Sequence, residues 1–348
     1  ERAWHWPDSQ NATATHDTKR GEDVRARINV LSELPEAWKE AVHSYAGINA
    51  PAKATLGGKP VPEAREEYFL YQTLIGTWPF EAKHYPDFRS RIGDYMVKAL
   101  REAKLRSSWL DPDTAYEGAC LEFIERILPD SGHNRFLEEF LPLQRRIAHH
   151  GVINSLAQTA IKLAAPGLPD IYQGCELWDL SLVDPDNRRT VDFELRSSWL
   201  ARLKEDFARN AAQTLHDLLA RPQDGRIKLH LVHQGLLLRQ EQATLFRHGE
   251  YLPVQCRGRY REHLVAFARH KDGQWCVVLV PRFTAHLVQE GEFPLGAQFW
   301  QDTSLVLPKE APRAWTNPLE ARRIEAGEKE LPVGEALQGF PVGLLVAG

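Results

Sequence analysis

Apolar residues recur at three- and four-residue intervals over much of the first half of the chain, which is the spacing of one buried helical face. The first such stretch covers residues 22–34, and Pro35 is placed to open a second helix. Residues 49–62 carry three prolines and two adjacent glycines, so we expect an exposed loop there. Four or five further helices are predicted between residues 63 and 163. Breaks among them are expected at Gly76, Pro79, Pro112, Pro129 and Pro142.

Two short strands are predicted, at residues 12–15 and at residues 170–173, the second of them buried and ended by Gly174. A long polar loop is expected over residues 176–191, and a further helix fits residues 197–219. Residues 226–239 are another helical candidate, although Gln234 and Gly235 interrupt its apolar face.

After Gly249 the apolar residues no longer recur at helical spacing and instead form short β-rich runs. Residues 264–268 and 275–280 favour strands, and the Lys271-Asp272-Gly273 sequence between them is a strong hairpin signal. Later strands are predicted at residues 298–301, 321–325 and 342–347. Short strands separated by turn residues predict a small antiparallel sandwich.

Composition narrows the class of protein. A chain of 348 residues suggests two or three domains with a substantial core. Acidic and basic side chains number 47 and 43, so no strong charge favours nucleic acid or an anionic membrane as a partner. No apolar run is long enough to span a bilayer and residues 1–6 carry no signal-peptide pattern, so we expect a cytoplasmic protein.

Cysteine and histidine spacing gives no sign of a metal or another cofactor. Cys120, Cys175, Cys256 and Cys276 form no CxxC pair, and we expect buried, reduced thiols. The 14 histidines include no HExxH sequence and no set of His and carboxylate residues at ligand spacing. We therefore predict neither a metal nor a cofactor.

Two polar clusters, residues 15–20 and 174–189, each follow a predicted strand and precede a predicted helix. Loops at the carboxyl ends of parallel strands converge on one face of an α/β fold, so we expect the two clusters to meet. From the residues alone, ordinary structural roles stay open for both. His16 and Asp17 could cap a helix, and Arg188 with Arg189 could form surface ion pairs with Asp184 and Asp186.

The same question applies to the tryptophans, since exposed indole rings can stack on sugars but most tryptophans belong to the core. Trp4, Trp6 and Trp178 are candidates for sugar platforms.

Residues 14–20, followed by residues 22–25, resemble the seventh-strand motif of the maltooligosyl trehalose synthases, a family of the α-amylase group. Residues 166–174 resemble the eighth-strand motif of that family, and residues 176–189 are the most specific match. Segments between residues 245 and 282 resemble the passage from the last barrel helix into the C-terminal sandwich. The similarity covers nearly the whole chain.

The resemblance implies a mixed α and β fold, in which the last two β/α units of an incomplete (β/α)₈ barrel carry a large helical insert and precede an antiparallel β-sandwich. Residues 1–37 would hold strand 7 and its helix, and residues 38–163 the helical insert. Residues 164–248 would hold strand 8, an active-site loop and the final barrel helices. The sandwich would cover residues 249–348.

The resemblance also implies an activity, the conversion of the terminal α-1,4 linkage of a maltodextrin into an α,α-1,1 linkage. Asp17 would be a third carboxylate that grips sugar hydroxyls, and His16 would support the same ring. The nucleophilic Asp and the acid/base Glu follow earlier strands in this group, so the chain alone is expected to be inactive. Substrate-binding roles at the acceptor side are implied for Lys19, Arg20, Gln173, Glu176, Asp184, Asn187 and Arg188.

The resemblance implies a maltodextrin and the N-terminal half of the same enzyme as partners. Two barrel strands alone leave strand edges and helix faces uncovered, so we expect the isolated chain either to self-associate through exposed barrel faces or to pack those faces against its own helical insert. Two other readings compete with this one. The first is another α-amylase-type hydrolase or transglycosylase. The second is a non-catalytic glucan-binding module in which the sandwich binds through Trp275, Trp300 and Trp315.

Overall fold

The structure is a computed structural model that describes residues 5–129 and 132–348. It consists of two compact units. The first unit comprises the chain up to Thr15, residues 152–179 and residues 190–348, and the second comprises residues 16–151 and 180–189. The helices are α1 (Glu22–Asn29), α2 (Pro35–Asn49), α3 (Ala64–Thr77), α4 (Tyr85–Ala103), α5 (Thr114–Ile127), α6 (Arg135–Ala164), α7 (Phe193–Arg209), α8 (Ala211–Ala220), α9 (Arg226–Glu241), α10 (Ala243–His248), α11 (Gly296–Trp300) and α12 (Val333–Ala336).

Thirteen strands accompany these helices in the described residues. They are β1 (Gln10–Ala12), β2 (Ala54–Leu56), β3 (Lys59–Val61), β4 (Leu168–Asp170), β5 (Glu250–Pro253), β6 (Gln255–Arg257), β7 (Leu264–Lys271), β8 (Gln274–Pro281), β9 (Ser304–Val306), β10 (Ala314–Asn317), β11 (Arg322–Glu325), β12 (Glu330–Pro332) and β13 (Gly343–Ala347). None of the helices in the described residues is both long and apolar enough to cross a membrane.

The second unit is mainly helical, as its sequence pattern predicts. Helices α1 and α2 lie where expected, although a 3-10 turn at Val30–Glu33 shortens α1. Helices α3 to α6 confirm the predicted number. Buried Arg27 of α1 donates from its Nη1 to the carbonyls of Gly76 and Trp78, at 3.2 and 2.6 Å, so it satisfies the C-terminal end of α3. Burial lowers the pKa of Arg27 to about 9, even though neighbouring Asp23 raises it.

Two predictions for the second unit are wrong. Residues 49–62 are not a loop, because β2 and β3 form a hairpin with Thr55 opposite Pro60. Gly57 and Gly58 both have positive φ, which is the turn geometry that suits the twist of a hairpin. Pro142 does not break a helix but lies inside α6. An internal proline costs about 3 kcal/mol, and the buried apolar residues on either side of Pro142 in α6 offset that cost.

The first unit contains a short parallel sheet formed by β1 and β4. Gln10 pairs with Leu168 and Ala12 with Asp170, and the Asn11 side-chain amide donates to the Pro166 carbonyl at 2.9 Å. Both strands come two or more residues earlier than predicted. The prediction of a buried second strand is also wrong, since residues 168–173 are all exposed or half-buried. The side-chain amides of Gln10 and Asn11, which donate to Asp170 and to the Pro166 carbonyl, set the register of β1 against β4. A hydrophobic pattern does not reveal such contacts.

The helices of the first unit differ from the sequence prediction at one point. Residues 197–219 do not form one helix, because the chain turns at Asn210, whose Oδ1 accepts a hydrogen bond from the Gln213 amide at 3.1 Å and caps α8. Helix α9 confirms the candidate at residues 226–239. Gly235 lies within it because a Cβ there would stand 2.7 Å from Leu163 Cδ1.

Two antiparallel sheets share the C-terminal core of the first unit. Their strand orders are β11-β10-β13-β8-β7-β5 and β12-β9-β6. The predicted hairpin is confirmed as β7 and β8, with Asp272 and Gly273 at positive φ in the turn. The strands predicted at residues 321–325 and 342–347 are confirmed within one residue. The strand predicted at residues 298–301 is wrong, since that segment is the helix α11.

Arg269 of β7 ties the sandwich to the helices of the same unit. Its guanidinium is buried and donates to the carbonyls of Ala164 at 3.0 Å, Phe246 at 3.0 Å and Gly249 at 2.9 Å. Burial lowers the pKa of Arg269 to about 10, and nearby Arg239 adds to the shift. One strand residue thus satisfies the C-terminal ends of both α6 and α10.

All four cysteines are free thiols, and three of them are buried, while Cys256 is partly exposed. Burial raises the pKa of Cys120 and of Cys276 to about 12. The expectation of reduced thiols agrees with this arrangement.

Acid is expected to destabilise the first unit through His230 of α9. Burial lowers the pKa of His230 to about 4, against an opposing hydrogen bond in which its Nε2–H donates to the Leu319 carbonyl at 2.9 Å. The unfolded residue titrates near 6.5, so the unfolded state binds the proton first. The free energy of unfolding should therefore fall by roughly 2–3 kcal/mol as pH drops from about 6.5 to 4.

Urea unfolding at a series of pH values measures this effect, and His230→Gln is the matched variant because it keeps a donor but does not titrate. His233, whose pKa is also lowered by burial, leaves a smaller slope in that variant. An unchanged slope in His230→Gln would contradict the assignment.

Candidate functional site

His16 and Asp17 stand together at the surface of the second unit. His16 Nε2 lies 3.2 Å from Asp17 Oδ2, and the two side chains are 65% and 83% exposed. The alternative role as a helix cap is not seen, because α1 begins at Glu22 and its N-cap residue is Gly21. The pair is therefore accessible to a ligand from solvent.

The segment around His16 meets residues 180–189, as predicted for the two polar clusters. The Asn187 side-chain amide donates to the His16 carbonyl at 2.8 Å. The Gly21 amide donates to the Ser181 carbonyl at 2.8 Å, and Arg20 forms an antiparallel bridge with Leu182. Backbone and side-chain contacts thus hold the two segments side by side within one unit.

Asp186 organises the loop of residues 180–189. Its carboxylate accepts hydrogen bonds from Arg91 Nε at 2.6 Å and Arg91 Nη2 at 2.8 Å, and from the Leu182 amide at 2.7 Å. Burial alone would raise the pKa of Asp186, but these donors hold it below its ordinary value. The sequence alone indicates Asp186 only as a surface ion-pair partner. Local spacing gives no signal of Arg91, since that residue lies 95 positions away in the chain.

The two basic residues after Asp17 have different environments. Lys19 forms an ion pair with Glu102 at 3.0 Å and remains largely exposed. Arg20 donates to Gln72 Oε1 at 3.2 Å and to Thr73 Oγ1 at 3.0 Å. Burial lowers the pKa of Arg20. Arg20 is thus fixed by the protein, whereas Lys19 keeps an accessible ammonium.

The arginines at the end of the loop form ion pairs within it. Arg188 Nε lies 2.7 Å from Asp184 Oδ1, and Arg189 Nε lies 3.2 Å from Asp186 Oδ1. This is the ordinary role that the residues alone left open for them. Arg188 remains mostly exposed, so its pairing does not prevent a ligand contact.

Two of the predicted site residues belong to the first unit. Gln173 is exposed. Glu176 Oε2 accepts a hydrogen bond from Arg196 Nε at 3.2 Å, and Arg196 Nη2 donates to the Gly174 carbonyl at 3.0 Å. The contacts of Glu176 are those of a residue that fixes a loop.

The tryptophans separate into exposed and buried groups. Trp6 is exposed, while Trp178 is half-buried and donates from Nε1 to the Pro222 carbonyl at 2.7 Å. Trp4 lies outside the described residues. In the sandwich, Trp275, Trp300 and Trp315 are 3%, 0% and 2% exposed, so their rings cannot stack on a sugar. That burial argues against the reading in which the sandwich binds glucan through them. Among the described residues, no group of three or more His, Cys, Asp or Glu side chains could hold a metal ion.

The known proteins that resemble this chain carry the name of one family. No family model matches the chain. A curated Mycobacterium tuberculosis protein whose assigned name is maltooligosyl trehalose synthase is 34% identical over 345 residues, which is 99% of this chain and 38% of the relative. The solved maltooligosyltrehalose synthase of Arthrobacter ramosus is 32% identical, with a TM-score of 0.77 over 99% of this chain and 39% of that one.

A Sulfolobus tokodaii structure, described as a hypothetical maltooligosyl trehalose synthase, is 27% identical with a TM-score of 0.68, over 97% of this chain and 39% of its own. The resemblance to the maltooligosyl trehalose synthase family is therefore confirmed: the chain matches members of that family along 99% of its own length and spans 38% of the curated relative.

Proposed function

We propose that the chain is the C-terminal part of an enzyme that converts the reducing-end α-1,4 linkage of maltodextrins into an α,α-1,1 linkage. The observation that carries this proposal is the exposed His16–Asp17 pair held against residues 180–189, which form part of the 176–189 run that resembles the family most specifically. Within the barrel of such an enzyme, β1 and β4 would be neighbouring strands, and their parallel pairing is consistent with that assignment.

The chemistry is a retaining transglucosylation. One carboxylate attacks the anomeric carbon and forms a glycosyl-enzyme, while a carboxylic acid gives its proton to the departing glucose oxygen. The C1 hydroxyl of the same glucose then attacks the anomeric carbon, which breaks the bond to the first carboxylate, and the hydroxyl proton returns to the second carboxylate, the former acid. Since no atom is gained or lost, the product is an isomer of the substrate. Both carboxyl groups would come from the part of the relatives that this chain does not span.

Asp17 would bind the 2-OH and 3-OH of the sugar whose ring flattens. Charge develops on that ring in the transition state, so a fixed carboxylate binds the transition state more strongly than the ground state. His16 is 3.2 Å from Asp17 and would support the same ring through its second nitrogen. The exposure of Asp17 leaves its oxygens accessible to these hydroxyls.

The acceptor side would hold the released glucose while it turns over. Lys19 and Arg188 keep exposed cationic groups that could donate to its hydroxyls. Arg20 and Asn187 would act as supports, because their side chains are engaged by the protein. The helical insert would exclude water, which competes for the glycosyl-enzyme. Asp184 would complete this side within the second unit. Sugar contacts of Gln173 and Glu176, which belong to the first unit, stay a prediction.

The relatives imply a second polypeptide segment as a partner, since the chain spans 38% of the curated relative. Two barrel strands expose hydrogen-bonding edges, and such edges favour pairing with further strands. We propose the N-terminal segment of the same enzyme as the partner that covers them. Self-association would be the alternative when that segment is absent.

The isolated chain is expected to leave maltopentaose unchanged. Reducing ends are measured after incubation with the chain alone and with a co-produced N-terminal segment. Loss of reducing ends at constant product mass should require both parts. Activity from the single chain would contradict the assignment of roles. Release of glucose and short maltodextrins by the pair would instead favour an α-amylase-type hydrolase.

A further inference from the structure

One face of α4 carries four side chains that reach the two segments of the candidate site. Arg91, Tyr95, Lys98 and Glu102 are spaced by four, three and four residues, so they project from the same side of the helix. We name these four residues the α4 stripe. Helix α4 and both site segments belong to the second unit.

Two residues of the stripe, Arg91 and Lys98, hold residues 180–189. Arg91 makes the two-pronged contact with Asp186 described above, and its Nη2 also donates to the Leu180 carbonyl at 3.2 Å. The side chains of Arg91 and Asp186 are only 14% and 10% exposed, so water screens this contact weakly. Lys98 donates from Nζ to the Asp184 carbonyl. The stripe therefore binds the loop at three successive places.

The other contacts of the stripe reach residues 19 and 20. Glu102 pairs with Lys19 at 3.0 Å and lies 3.8 Å from Lys98. The Tyr95 ring stacks on Phe69, with centroids 5.8 Å apart, and the Arg20 guanidinium lies 5.1 Å from the centre of the Phe69 ring. One helix face thus contacts both segments, which themselves meet at Asn187 and His16.

We propose that the α4 stripe positions the His16–Asp17 pair, with Arg91 as its principal positioning residue. Arg91 fixes Asp186 and with it the next residue of the loop, Asn187. The side-chain amide of Asn187 in turn holds the carbonyl of His16. A rigid helix therefore sets the place of a pair that lies on an otherwise exposed segment. The catalytic consequence rests on the proposed function, whereas the structural consequence does not.

The same helix offers a matched control. Arg101 Nε and Nη2 donate to the Glu117 carboxylate at 2.8 and 2.7 Å, in the same two-pronged geometry as the Arg91 contact. That pair joins α4 to α5, and among the described residues it makes no hydrogen bond or ion pair with either site segment. Arg91→Met and Arg101→Met thus each remove one partly buried, bidentate pair from α4.

Hydrogen exchange of the Gly21 and Leu182 amides in the 348-residue chain tests the structural step. Both amides are bonded in the contact region, to the Ser181 carbonyl and to Asp186 Oδ2. Arg91→Met is expected to speed their exchange at least about tenfold, and Arg101→Met to leave it unchanged. Arg91→Lys keeps the charge without the fork, so it should give an intermediate rate and serves if Arg91→Met does not fold. Equal acceleration by the variants at both positions, or none from either Arg91 variant, would overturn the proposal.

Kinetics of the assembled two-part enzyme test the catalytic step. Misplaced groups lower the rate of the chemical step, so Arg91→Met should lower kcat by about tenfold to a hundredfold with little change in KM. Arg101→Met should leave both parameters unchanged. If the unsubstituted assembly forms no α,α-1,1 product, the proposed function fails, while the exchange experiment still decides the role of the stripe. If Arg91→Met raises only KM, the positioning role is wrong.

Discussion

Replacing Asp17 by Asn is expected to lower the rate of α,α-1,1 product formation by the assembled enzyme by about 10²-fold to 10³-fold. The amide keeps the shape of the carboxylate but cannot balance the positive charge that grows on the sugar ring. KM should change less than kcat, because the lost contact is strongest in the transition state. Initial rates of reducing-end loss over a range of maltopentaose concentrations measure both parameters.

Stability should not account for this loss of rate. Asp17 is 83% exposed, so its substitution should change the free energy of unfolding by no more than about 0.5 kcal/mol. Asp111→Asn, which changes an exposed carboxylate elsewhere in the same unit, is the matched control and should leave kcat unaltered. If Asp17→Asn retained full activity, Asp17 could not be the third carboxylate.

Replacing Trp300 by Ala is expected to lower the stability of the C-terminal sandwich by about 3–5 kcal/mol. The indole is fully buried, and its Nε1 donates to the Pro294 carbonyl at 2.8 Å. Its ring also packs edge-on against Phe299, with centroids 5.2 Å apart. The substitution therefore opens a large cavity and leaves a buried carbonyl without its donor.

Urea unfolding followed by circular dichroism measures this effect, with Trp6→Ala as the control because Trp6 is exposed. The control should change the midpoint little. Titration with soluble starch adds a second readout. Normal folding with loss of starch binding in Trp300→Ala would restore the reading in which the sandwich is a glucan-binding module, and the buried position of the ring argues against that result.

The sequence predicts the helices of this protein better than its strands. Helix α2 begins at Pro35 as its spacing predicts, and α3 to α6 agree with the predicted number of helices. Strands β1 and β4 have three residues each, and the contacts of Asn11 and Gln10 place them, rather than a hydrophobic alternation. The helix break predicted at Pro142 does not form, because tertiary packing overrides the local preference of one residue.

The candidate site divides in the same way. The His16–Asp17 pair and the 180–189 run are visible in the sequence as polar clusters, and their meeting could be anticipated from the fold class. The ion pair of Arg91 and Asp186 could not, because its partners belong to segments 95 residues apart. The resemblance implies a ligand contact for Arg20, whereas its side chain already contacts Gln72, Thr73 and Phe69, and the local sequence gives no sign of these partners.

The position of Arg269 limits how this protein can be divided into pieces. Its guanidinium serves peptide oxygens at the ends of α6 and α10, and these belong to the chain before the sandwich begins. Cutting the chain near Gly249 would leave the Arg269 guanidinium without acceptors in one product and the carbonyls that it binds without their donor in the other. The sandwich is therefore a structural complement of the preceding helices, and the two would be inherited together rather than exchanged as independent modules.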